Sequence, residues 1–147
     1  MTEPFAEVRA HASELIARYA WAVDQRDLPM LEALFTTDAV MRFEVPRNGL
    51  KGVHRGLPAI LESFREAWAT PGDLRRHLMS NLWFESASEN ACVTHSYLTV
   101  SVADEQTLRM VTTGTYRDLI VKDGGWLFKE RHLVLHTAHE LTRSFRS

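Results

Sequence analysis

Three side chains in this sequence could together move a proton: Tyr19 and Asp24, five residues apart in an N-terminal segment, and His77, far downstream. A carboxylate hydrogen-bonded to one imidazole nitrogen fixes the tautomer and stabilises the imidazolium formed when the other nitrogen takes a proton. Asp24 would orient, His77 would abstract, and a Tyr19 hydroxyl in the same cavity would favour negative charge on a carbonyl or departing oxygen. This chemistry needs an apolar pocket that gathers the three.

The elements that must build that pocket follow from periodicity. Phe5, Val8, Ala12, Leu15, Ile16, Tyr19 and Val23 recur at spacings of three and four, which predicts a helix with one buried face. At 100° steps Tyr19 and Val23 fall in mid-stripe and Asp24 at its edge beside Ala17 and Ala20. Asp27 as cap and Pro29 in the first turn predict a short second helix through Phe35. Thr37-Asp38 interrupts the pattern, Met41, Phe43 and Val45 alternate as a first strand, and Pro46 to Gly49 reads as a loop. Leu57, Ile60, Leu61, Phe64, Ala67 and Trp68 mark a third helix, ended by Pro71-Gly72.

Beyond that point the chain changes character. Runs at about 76 to 86, 91 to 102, 107 to 121 and 126 to 137 are rich in β-branched and aromatic residues and read as an antiparallel meander of four strands. The last two are joined by an Asp-Gly hairpin signal before Trp126. Helices first and strands last define an α+β fold in which a curved sheet wraps the helices, as one domain over residues 1–147. Leu127, Leu133 and Leu135 beside Trp126, Phe128 and Val134 place apolar residues on both strand faces, so the outer face is expected to meet another copy.

Strand parity places His77 with Met79, Asn81 and Trp83, and His95 with Tyr97. Together with Trp21, Phe43, Phe64, Trp68, Tyr116 and Arg131, these are the candidate pocket-lining residues. His132, His136 and His139 do not converge on one point along a strand, and no metal is expected. Cys92 alternates with apolar neighbours and reads as a core thiol, and no phosphate or dinucleotide loop occurs. With 45% apolar and 24% charged residues and a net charge of −2, the chain has no nucleic-acid footprint. No run approaches a membrane span, and the N-terminus carries no secretory pattern, so a cytoplasmic protein is expected.

The segments Tyr19-Ala-Trp-Ala-Val-Asp24-Gln-Arg-Asp27, Leu34-Phe35-Thr-Thr-Asp38-Ala39-Val40, His77 with Asn81, Gly114-Thr-Tyr116-Arg-Asp118 and Gly124-Gly125-Trp126 before Arg131 resemble the SnoaL-like proteins of the NTF2-like superfamily. That group includes scytalone dehydratase, bile acid 7α-dehydratase and hexachlorocyclohexane dehydrochlorinase. The resemblance implies a cone of three helices in the concave face of a mixed, mainly antiparallel sheet. It implies Asp24 and His77 as catalytic pair, a strand Arg corresponding to Arg131, and a homo-oligomer, a trimer rather than a dimer. The expected activity is that of a cofactor-independent dehydratase acting on a hydrophobic cyclic small molecule of polyketide, steroid or alicyclic type. An isomerase with the same pair, a non-catalytic ligand-binding protein and a ring-hydroxylating dioxygenase β subunit are the alternatives.

Overall fold

The computed structural model describes residues 3–137. Helix α1 (Glu3–Gln25) buries Val8, Ala12, Leu15, Ile16 and Tyr19, the stripe its spacing requires. It ends in a Schellman motif: Arg26 N–H donates to the Val23 carbonyl and Asp27 N–H to that of Ala22. Arg26 fills the left-handed position at φ 54°, where glycine is the usual occupant. Helix α2 (Leu28–Glu32) follows, with the Asp27 carboxylate accepting from Met30 N–H at 3.0 Å. Helix α3 spans Leu57–Trp68 and buries Ile60, Leu61 and Phe64.

Six strands form one sheet in the order β2-β1-β6-β5-β4-β3. They are β1 (Phe35–Val45), β2 (Leu50–Arg55), β3 (Leu74–Ala87), β4 (Ala91–Ala103), β5 (Leu108–Lys122) and β6 (Trp126–Leu135). The meander β3 to β6 is antiparallel throughout, while β1 pairs with β6 in parallel and with β2 in antiparallel. The inward rows of the sheet, among them Phe35, Met41, Leu98, Val100, Tyr116, Phe128 and Leu133, pack with the helices into one core.

Two features depart from the sequence expectation. Strand β2 occupies the stretch between the anticipated loop and the third helix, where no element was expected: its six residues include Gly52, whose bare Cα is covered by the Phe43 ring, and none is fully buried, so alternation is faint at this sheet edge. Strand β1 also starts at Phe35, through Thr37-Asp38, with its irregularity absorbed as a register shift between Phe35 and Val40.

A candidate active site between the first helix and the sheet

Asp24 is on the last turn of α1 and His77 is the fourth residue of β3, so the site sits where the helix end meets the sheet. His77 Nδ1 lies 2.6 Å from Asp24 Oδ1, and the backbone N–H of His77 donates to the same carboxylate at 3.1 and 3.3 Å. The side chains are 11% and 7% exposed. A carboxylate facing both the ring and the main-chain N–H of one residue fixes the ring's rotation as well as its tautomer, because Nδ1 must carry the proton. Nε2 is then left as the acceptor.

Both residues line a cavity of about 540 Å³. Its walls are Tyr19, Val23 and Arg26 at the end of α1, Ser63, Phe64, Glu66, Ala67 and Trp68 of α3, Thr70 to Asp73 of the following loop, and Arg75, Leu98, Tyr116, Leu133 and Leu135 of the sheet. His77, Asp24 and two phenols therefore face a cavity whose wall mixes aliphatic and aromatic side chains with the charged Arg26, Glu66, Asp73 and Arg75.

Behind Tyr19 and Tyr116 lies a polar core. Arg131 donates to Asp118 through Nε at 2.7 Å and Nη2 at 3.1 Å, and both side chains are fully buried. The guanidinium carbon lies 4.0 Å from the ring centroids of Tyr19 and Tyr116 and 4.1 Å from that of Phe128. Three aromatic faces and one carboxylate thus offset the desolvation of the cation. Burial pushes the Asp118 carboxyl up, and Arg131 pulls it back. Burial also raises both phenols, so Tyr19 and Tyr116 stay protonated.

Not every anticipated residue reaches this cavity. Tyr19, Asp24, Phe64, Trp68, His77 and Tyr116 line it, and Arg131 stands behind its two tyrosines. Asn81 adopts φ 55° within a β3 register shift between Ser80 and Trp83, which reverses the parity of the strand. Leu82 and Phe84 turn inward, while Asn81 and Trp83 are exposed, so the expected alignment of Trp83 with His77 is corrected. His95 and Tyr97 alternate with buried Thr94, Ser96 and Leu98 and lie on the outer face, with His95 stacked on Trp83 at 4.4 Å and bonded to Glu85 at 2.7 Å. Trp21 is 62% exposed, and Phe43 packs in the core against His54.

Sequence reasoning had passed over Arg26, the 70–73 loop and Asp118 as site elements. Asp118 could have been found, since it shares a strand face with Tyr116 in an otherwise apolar row and so requires a buried partner. Among the described residues no three His, Cys, Asp or Glu side chains gather as metal ligands. His132 approaches Glu44 at 3.6 Å, and His139 lies outside the described residues. No helix among the described residues is long and apolar enough to cross a membrane.

The fold is the cone of the NTF2-like superfamily, with a pocket between α1, α3 and the sheet. The SnoaL-like domain family matches residues 5–132, and the chain belongs to that family. No curated protein matches the chain.

Among solved structures it is similar to Rv3472, a protein of unknown function from Mycobacterium tuberculosis, at 22% identity and a TM-score of 0.76, covering 99% of this chain and 79% of that one. It is also similar to a candidate scytalone dehydratase from Novosphingobium aromaticivorans at 24% identity and a TM-score of 0.74, covering 93% and 89%. The β subunit of a candidate aromatic-ring-hydroxylating dioxygenase from the same organism matches at 17% identity and a TM-score of 0.77, covering 92% and 94%. At such identities the likeness is one of fold.

Proposed function

We propose that the protein is a cofactor-independent lyase, a dehydratase, acting on a hydrophobic cyclic small molecule. The observation that carries this reading is the 2.6 Å contact between Asp24 and His77 inside the pocket. His77 Nε2 takes a proton from a carbon made acidic by a neighbouring carbonyl, and Asp24 balances the imidazolium. The protonated phenols of Tyr19 and Tyr116 donate to the oxygen on which charge develops. The departing hydroxyl leaves as water once it takes back the proton held by His77.

The test is His77→Ala against a panel of alicyclic and aromatic β-hydroxy ketones, followed by product mass. Loss of one water by the native protein and none by the variant supports the reading; equal turnover by both removes the proposed base. An isomerase using the same pair would return the proton to another carbon and leave the product mass unchanged. A non-catalytic role as a dioxygenase β subunit draws on the likeness of fold to such a subunit, and copurification with an iron-sulfur partner would establish it instead.

A single-domain, cytoplasmic homo-oligomer, a trimer, completes the reading. Its support is the outer sheet face, where Leu74, Leu78, Tyr97, Leu108 and Met110 are each more than half exposed on the neighbouring strands β3, β4 and β5. The buried free thiol of Cys92 is compatible with a reducing compartment.

A further inference from the structure

Arg26 is the one residue that ties the end of α1 directly to the segment between α3 and β3 by side-chain hydrogen bonds among those described. Its guanidinium Nη1 donates to the carbonyls of Trp68 at 3.0 Å and Thr70 at 2.9 Å. Trp68 is the last residue of α3, so a cation from a distant helix satisfies carbonyls that α3 leaves open and meets the negative end of its dipole. Gly72 packs flat on the same group: a Cβ there would collide with Arg26 Nη2 and lie 2.8 Å from Cζ.

The left-handed backbone of Arg26 adds a second indication. Glycine would hold the Schellman motif with less strain, and what the arginine adds at this position is the reach of its side chain. The segment it grips, Thr70 to Asp73, is a wall of the pocket and leads within four residues to His77, while Asp24 is two residues before Arg26.

We propose that Arg26 is a positioning residue for the Asp24–His77 pair: its guanidinium pins the 69–73 segment as a pocket wall and so fixes the start of β3 against the end of α1. The proposal rests on reading that pair as the working site; Arg26 also borders the cavity, and the role assigned to it is to hold the 69–73 segment rather than to bind the ligand.

The experiment combines Arg26→Gly, Arg26→Lys, Gly72→Ala and the double variant Arg26→Gly/Gly72→Ala. Arg26→Gly keeps the helix-ending backbone while deleting the side chain, so the variant is expected to fold. Amide hydrogen exchange at residues 69–75 should accelerate by roughly tenfold or more in Arg26→Gly, as two charge-assisted bonds are lost. The His77 ring N–H resonance held by Asp24 should broaden, and Arg26→Lys should restore part of both signals.

Gly72→Ala should disturb these signals when Arg26 is present and have little added effect when residue 26 is glycine. Unchanged exchange and an unchanged ring signal in Arg26→Gly would overturn the proposal, as would a Gly72→Ala effect independent of residue 26. None of these readouts uses turnover. Retained activity in His77→Ala would sink the catalytic reading while leaving the coupling between Arg26 and Gly72 measurable.

Discussion

Replacing Asp24 by Asn separates what the carboxylate does for the fold from what it does for the proposed chemistry. In the native protein both oxygens are used, one by the His77 ring N–H at 2.6 Å and both by the His77 main-chain N–H at 3.1 and 3.3 Å. An Asn can still accept from the main chain through its carbonyl, but its amide then presents N–H to the ring. His77 must answer with an unprotonated Nδ1, which moves the ring proton to Nε2 and converts the outward nitrogen from acceptor to donor. The fold loses part of a charge-assisted network, about 1–3 kcal/mol.

The chemistry loses more, because the base is in the wrong tautomer and its cation lacks a counter-charge. A fall in kcat of about 10²–10⁴ is expected, the range for removing a general base or its orienting carboxylate. The assay is threefold: thermal melting for the stability term, nitrogen NMR of the His77 ring for the tautomer, and turnover on the substrate identified by the ketone panel. Turnover within about threefold of native, with the ring proton shown to have moved to Nε2, would refute the reasoning.

Other consequences follow from the polar core and the outer face. Asp118→Asn leaves Arg131 as an uncompensated buried cation and should cost about 3–5 kcal/mol, a fall of roughly 10 °C in Tm, whereas Asp118→Leu with Arg131→Met should recover most of that loss. Calorimetry of the native protein and the two variants checks this. The Tyr19 and Tyr116 phenols and the Cys92 thiol, the last pushed up to about 11 by burial, are all raised in the fold. Groups raised on folding contribute fully below their unfolded values and lose that contribution as pH climbs, so denaturant midpoints should fall from about pH 9 upward. Leu78→Glu on the outer face should shift sedimentation toward the monomer while leaving the Asp24–His77 ring signal in place.

Much of the fold was legible because its signals are local. The α1 stripe, the Asp27 cap and the Asp-Gly hairpin each act within a few residues, and each stands where periodicity and turn chemistry put it. Asp24 at the helix edge and His77 on a strand were readable for the same reason, although their meeting across 53 residues is a property of the packed cone.

What parity could not reveal is where it breaks. The β3 register shift at Asn81 sends Trp83 outward, and the shift between Leu119 and Ile120 opposite β6 accompanies burial of both Phe128 and Arg131 on one face. Edge strand β2 lacked a buried row to announce it. Arg26 was invisible because its role lies in reaching a loop more than 40 residues away, and a lone arginine after a helix reads as a solvated end.

The proposed reaction begins with His77, held by Asp24, removing a proton from a carbon acid bound in the pocket. Deuterium incorporation at the acidic carbon of a bound cyclic ketone in heavy water, followed by mass spectrometry, reports that step whether or not water is later lost. Exchange catalysed by the native protein is expected, strongly reduced in Asp24→Asn and absent in His77→Ala. Exchange at the native rate in His77→Ala would contradict it.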